Sequence, residues 1–246
     1  MISKKFLTNN TAYINPIKIE VEHQIVHSTG SAVGTKEQLF NGWNKPNKLS
    51  THGMVDAIGS FHTMPLNYLA NHVGKKGNSK TIGFEICEPE SIAYADKAHT
   101  RIDTTKYNPK DPANISDFNK RYKNAVEMAV YFCQETGLTA DKILSHREAC
   151  AKGIASNHAD VEHWFSLFGK TMDDFRADVK TKLAQKPNPN TGGEQPLKVR
   201  VKTDCIAYNE AVKIPKGVYT IVETKGNMGK LKSGAGWINL SAVEKL

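Results

Sequence analysis

Between Gln185 and Pro196 the chain carries three prolines and a glycine pair with no apolar periodicity. Prolines fix φ and remove backbone donors, and glycines bring no side chain to bury, so neither helix nor sheet propagates through such a stretch. The chain therefore reads as two domains, 1–185 and 197–246, joined by a linker at 186–196. The two differ in kind. All nine histidines fall at or before His163. The C-terminal part has none and consists of short β-type runs, ValArgValLys at 199–202 and ValTyrThrIleValGlu at 218–223, separated by turn residues. A small all-β barrel is expected there.

The N-terminal part alternates strand and helix patterns, which predicts an α/β fold with a mixed central sheet flanked by helices. Residues 19–27 read as a strand, and Thr35 with Gln38 forms a capping-box pattern opening a helix with Leu39, Phe40 and Trp43. ThrIleGlyPheGluIleCys at 81–87 is an uninterrupted β-type run. A long helix is expected from about Asp117, with Phe118, Tyr122, Val126, Ala129 and Phe132 on one stripe and Gly137 placed to end it. After a return strand reaching His146, Thr171 caps a last helix bearing Phe175, Val179 and Leu183.

Composition narrows the class. Of the 246 residues 39% are hydrophobic and 24% charged, ordinary for a folded globular chain. No apolar run approaches the length of a membrane span, and the first residues lack the apolar core of a secretory signal, so synthesis and folding in the cytoplasm are expected. Cys87, Cys133, Cys150 and Cys205 are scattered without ligand spacing and read as reduced, buried thiols. The net charge of +8 favours an anionic partner, but the lysines form no cluster interleaved with aromatics and no nucleic-acid motif is present. An anionic polymer such as a bacterial cell wall suits the charge equally well.

His27 and His146 each follow a short apolar run, in IleValHisSerThrGly at 25–30 and IleLeuSerHisArgGlu at 143–148. A strand end fixes the backbone while the imidazole projects into a cleft, and neighbouring parallel strands would bring both to one sheet edge. AsnHisAlaAsp at 157–160 adds a carboxylate, Asp160. Two imidazoles and one carboxylate leave a fourth tetrahedral position open, the arrangement of a catalytic rather than a structural zinc site. Glu85 lies inside the buried-type run on the face of Gly83 and Cys87, opposite Phe84 and Ile86. A carboxylate there is costly unless it is paired or faces a cleft, which makes it a candidate general base; the alternative is a solvated place at a sheet edge.

These segments, together with AsnHisValGlyLysLysGlyAsnSerLysThrIleGlyPheGluIleCysGlu at 71–88 and AlaSerAsnHisAlaAspValGluHisTrpPhe at 155–165, resemble the zinc-dependent type 2 N-acetylmuramoyl-L-alanine amidases. That family is related to the peptidoglycan recognition proteins and includes modular bacteriophage lysins. GlyLysThrMetAspAspPheArgAlaAspVal at 169–179 is similar to lysins acting on Gram-positive hosts. The resemblance implies His27, His146 and Asp160 as ligands of Zn2+ and Glu85 as the residue that activates water. It implies His158 as the stabiliser of the oxyanion, at a position where many relatives carry lysine, with Lys152 as the alternative. It implies His52 and His72 as lining the substrate groove, and leaves His23, His62, His99 and His163 as structural. The C-terminal part resembles bacterial SH3-like wall-binding modules, in which Tyr208, Tyr219 and Trp237 are either ligand-contacting or core aromatics.

The activity implied is hydrolysis of the amide bond joining N-acetylmuramic acid to L-alanine in bacterial peptidoglycan, with release to the wall at lysis. There are two rivals: a non-catalytic peptidoglycan binder using the same groove, and a zinc peptidase cutting within the stem peptide. Retention of three ligands and Glu85 weighs against the binder.

Overall fold

The computed structural model describes residues 2–46, 49–74, 77–185, 197–206, 213–225, 227–233 and 236–245. Its contacts group into two units, Met1–Ala184 and Gln185–Leu246. The linker expected at 186–196 and Tyr208 lie outside the described residues.

The first unit runs β1 (Ile2–Lys4), α1 (Thr11–Ile14), β2 (His23–Ser28), α2 (Lys36–Trp43), β3 (Gly53–Val55), β4 (Ser60–His62), β5 (Thr81–Ile86), α3 (Pro112–Thr136), β6 (Ile143–Ser145), α4 (His146–Ala151), α5 (Glu162–Phe165) and α6 (Met172–Ala184). Its six strands form one mixed sheet in the order β1-β4-β3-β5-β2-β6. Only the β3–β4 pair is antiparallel. β5 is therefore interior, and its six residues are all buried, which rules out the exposed-edge reading of Glu85.

One face of the sheet is mainly apolar, with Gln24 and His62 as buried polar exceptions that meet Cys133 and Tyr131 of α3. Val26, Val55, Ile82, Phe84 and Ile86 pack with Phe118, Tyr122, Val126, Ala129 and Phe132 of α3 and with Phe175 and Val179 of α6. Each Val, Ile and Phe side chain among them contributes roughly 1.5–3 kcal/mol on burial, so this face anchors the unit. Alternation then turns Ile25, His27, Gly83 and Glu85 to the opposite face.

α3 begins earlier than its stripe predicts. Asp111 caps it by accepting from the Ala113 amide, and Pro112 occupies the first turn, where a missing N–H costs nothing. Gly137 ends it in the left-handed region at φ 77°. Arg121, buried on this helix and paired with Asp117 at 2.7 Å, donates to the carbonyls of Gly34 and Cys87 at 2.7 and 2.6 Å. That single guanidinium ties the loops following β2 and β5 to the core. Among the cysteines, Cys87 and Cys133 are buried thiols, while Cys150 and Cys205 are half-buried, contrary to the expectation that all four are buried.

The second unit contains β7 (Leu197–Val201), β8 (Cys205–Ile206), β9 (Lys213–Ile214), β10 (Gly217–Lys225), β11 (Met228–Leu231), β12 (Trp237–Asn239) and β13 (Glu244–Lys245). Five strands form an antiparallel sheet, β12-β11-β10-β7-β13, and β8 pairs with β9. Val199, Val201, Ile214, Ile221, Leu231 and Ile238 make its core, with Tyr219 packed against it. Tyr219 is half-buried, its ring against this core and its hydroxyl donating to the Pro215 carbonyl at the surface. Trp237 stays half-buried with the Lys230 ammonium 5.9 Å from its ring. No helix among the described residues is long and apolar enough to cross a membrane.

Candidate metal centre

β2 and β6 are parallel neighbours, Val26 opposite Ser145. His27 therefore sits on β2 one residue beyond that pair, and His146 is the first residue of α4, directly after β6. Its position is locked locally. Ser145 and Glu148 form a reciprocal capping box, Glu148 is held by Arg176 of α6 at 2.8 and 2.9 Å, and the Ser145 hydroxyl donates to Glu162 at 2.6 Å. Asp160 precedes α5, whose Trp164 and Phe165 are buried against Phe118 with ring centroids 5.2 and 5.8 Å away. Aromatic burial on one side of the sheet thus delivers a carboxylate to the other.

The three side chains converge. His27 Nδ1 lies 3.0 Å from Asp160 Oδ2 and 3.2 Å from His146 Nδ1, and His146 Nδ1 lies 3.6 Å from Asp160 Oδ1. A tetrahedral zinc-sized ion with bonds of about 2.0–2.1 Å spaces its ligand atoms about 3.3 Å apart, so this buried N, N, O set fits such an ion. Burial pushes the His27 pKa down despite Asp160, keeping a lone pair available.

Glu85 is the register partner of His27 across the β2–β5 ladder. Burial, reinforced by Asp160 and Glu88, raises its pKa well above the ordinary value, and its Oε2 has no hydrogen-bond partner. A buried carboxyl with a raised pKa and a free oxygen is suited to proton transfer. His158 is exposed, its ring 4.6 Å from that of His146. Lys152 is exposed at the C-terminal cap of α4.

One expectation is corrected. His52 does not line a groove: it is fully buried, Nε2 donates to the Tyr68 carbonyl at 2.9 Å, and Nδ1 accepts from the Gly83 amide at 3.2 Å. Burial lowers its pKa to about 4, so it is a neutral brace between strands. His72, the other residue expected in the groove, is half-buried, with its Nδ1 2.9 Å from Nε2 of the candidate ligand His27. Burial, with His27 and His52 adding, pushes its pKa well down. The segment between His146 and Asp160 begins as helix α4.

Sequence reasoning missed Ser156, whose hydroxyl lies 3.3 Å from His146 Nε2. It also missed a buried pair behind the site, His163 Nε2 at 3.0 Å from Glu88 Oε1, too poorly aligned for a hydrogen bond but close enough for an ion pair. Glu88 additionally accepts from Tyr94 and, at 3.3 Å, from the Gly30 amide. Serine next to AsnHisAlaAsp and a histidine before TrpPhe were the available signals.

A mixed α/β sheet with a two-histidine, one-carboxylate cluster at the ends of parallel strands defines a metal-hydrolase type of centre. Residues 17–162, more than half of the chain, match the model of the N-acetylmuramoyl-L-alanine amidase family (Amidase_2), and the chain belongs to that family. No curated protein matches it. Among solved structures, the hydrolase AmiA of Staphylococcus aureus, determined with its ligand, is 18% identical with a TM-score of 0.55, covering 74% of this chain and 83% of AmiA. The catalytic domain of XlyA is 20% identical (TM-score 0.50; 73% and 99% covered). A mutant endolysin from Bacillus subtilis is 21% identical (TM-score 0.51; 73% and 98% covered). These likenesses concern the fold.

Proposed function

We propose that this peptidoglycan amidase is a zinc-dependent bacteriophage lysin of Gram-positive walls, with the first unit cutting and the second, an SH3-like module, holding the wall. The observation that carries the catalytic part is the convergence of His27, His146 and Asp160 beside Glu85, whose buried Oε2 has no partner.

His27, His146 and Asp160 would hold the zinc. Bound there, zinc supplies Lewis acidity, polarising the lactyl carbonyl and acidifying water. Glu85 takes the proton of the water that attacks the carbonyl carbon and delivers it to the amine nitrogen as the C–N bond breaks, leaving L-alanine with a free amino end. Its raised pKa suits both halves of that transfer. His158, exposed with its ring 4.6 Å from that of His146, is the residue assigned to the developing oxyanion; Lys152, at the C-terminal cap of α4, is the weaker candidate.

The lysin motifs at 155–165 and 169–179 support action on the wall after release from a host cytoplasm. The charge distribution supports the anchoring role: ten Lys and Arg against five Asp and Glu lie between Gln185 and Leu246. Purified Gram-positive wall digested with the full chain, with and without chelator, tests the reading by mass spectrometry. New L-alanine amino ends that vanish in chelator and return with zinc are expected. Cuts within the stem peptide would identify a peptidase, no released product a binder, and chelator-resistant cleavage would refute the metal.

A further inference from the structure

We infer that two hydrogen-bond relays, each ending on a backbone carbonyl, set the tautomers of His27 and His146, with His72 and Ser156 as positioning residues that aim both Nδ1 lone pairs at one point beside Asp160. The inference rests on the metal reading above and extends it to residues that touch no substrate.

The first relay starts at Thr81. Its hydroxyl donates to the Gly77 carbonyl at 2.9 Å, so both its hydroxyl oxygen and its carbonyl are left as acceptors. His72 Nε2 faces them at 3.3 and 3.4 Å and must therefore carry the proton. In a neutral ring that leaves His72 Nδ1 as an acceptor, and His27 Nε2 donates to it across 2.9 Å. His27 Nδ1 is then unprotonated on the side of Asp160.

The second relay starts at Val73. Its carbonyl accepts from the Ser156 amide at 3.0 Å and from the Ser156 hydroxyl at 3.4 Å. A hydroxyl that donates there offers its lone pairs to His146 Nε2–H at 3.3 Å, leaving His146 Nδ1 unprotonated towards His27 Nδ1 at 3.2 Å. Three acceptors within 3.0–3.6 Å repel one another until a cation sits among them. Outer hydrogen bonds of this kind orient ligand imidazoles and raise their basicity.

Asn78 accepts from the amides of His72 and Val73 at 3.0 and 2.9 Å and so braces one residue of each relay. Gly83 is required for the first: a Cβ there would lie 2.6 Å from His72 Nδ1.

Zinc affinity, measured by chelator competition on the full chain, and histidine tautomers, read by 15N NMR, test the relays. His72→Phe is expected to weaken zinc binding by about 10- to 100-fold. His72→Asn, whose amide oxygen can accept from His27, should stay within about threefold of wild type. Gly83→Ala, which displaces the ring without removing any donor, should follow His72→Phe. Ser156→Ala should weaken binding less than about 10-fold, because water reaches this exposed site, and Ser156→Thr should restore it. NMR should find His27 and His146 protonated at Nε2 in wild type before zinc is added. Protonation at Nδ1, or wild-type affinity in both His72→Phe and Gly83→Ala, overturns the inference; so does His72→Asn binding as weakly as His72→Phe. Should His72→Phe fail to fold, the other two variants decide. Wild type with the assigned tautomers but no zinc binding would sink the metal reading and leave the relays standing.

Discussion

His27 on β2 and Glu85 on β5 are direct partners across a parallel ladder, so a candidate ligand and a candidate base are held about one strand spacing, roughly 4.8 Å, apart by backbone hydrogen bonds alone. Both belong to the interior of the sheet, and neither depends on a mobile loop for its place. Glu85→Gln keeps the shape and removes the proton-accepting charge. Wall-digestion rate should fall about 10²- to 10⁴-fold while bound zinc, measured by elemental analysis, is unchanged. Because burial beside Asp160 and Glu88 opposes ionisation of Glu85, the variant should also be at least as stable as wild type to urea in chelator. Full activity would remove Glu85 from the mechanism.

Asp160 supplies the only carboxylate of the convergent set. Asp160→Ala, and equally His146→Ala, should weaken zinc binding by more than about 100-fold, beyond the cost of losing an outer hydrogen bond. In wild type, zinc at about 100 times its Kd should raise the unfolding free energy by about 2.7 kcal/mol. The same addition should leave the Asp160→Ala unfolding curve where it was, and a zinc-induced shift of wild-type size in that variant would refute the ligand assignment.

The convergence of the candidate ligands His27 and His146 was legible because strands mark their own ends: apolar runs stop near each, and parallel pairing brings them together. The helical stripe of α3 was legible for the same reason of periodicity. Its start was not, since Asp111–Pro112 reads as a turn until Asp111 is seen capping. His52 and His72 could not be sorted from the sequence. They flank strands in irregular segments, where no period of two or 3.6 reports which way a ring points. The His163–Glu88 pair joins α5 to the end of β5, a contact that only the tertiary fold creates.

His52 makes the fold acid-sensitive. Its pKa is lowered from 6.5 to about 4 by burial, so the folded state binds its proton later than the unfolded chain does. The stabilisation is present above pH 6.5 and is lost as pH falls towards 4. The 2.5-unit difference corresponds to about 3 kcal/mol. Urea unfolding followed from pH 7 to 4 should show wild type losing about that much more stability than His52→Gln. Parallel pH profiles would refute a neutral, buried His52.

His163 contributes with the opposite sign. Burial lowers its affinity for protons, but the facing Glu88 carboxylate outweighs burial and raises the pKa above 6.5; the Ala159 carbonyl and Asp160 add to the effect. A raised histidine pKa means that the folded state holds the proton more tightly, so the pair stabilises fully below pH 6.5 and its contribution fades as pH climbs through the raised value. Both side chains are essentially inaccessible, 2% and 0% exposed, so solvent screens the pair little. Glu88→Gln strands an imidazole without its counter-charge and should cost about 3–5 kcal/mol at pH 6. At pH 9 the wild-type ring is closer to neutral, and the difference between the proteins should shrink. Chemical denaturation of both at the two pH values measures it. A penalty independent of pH would mean that Glu88 acts through its hydrogen bonds to Tyr94 and Gly30 rather than through the charge on His163.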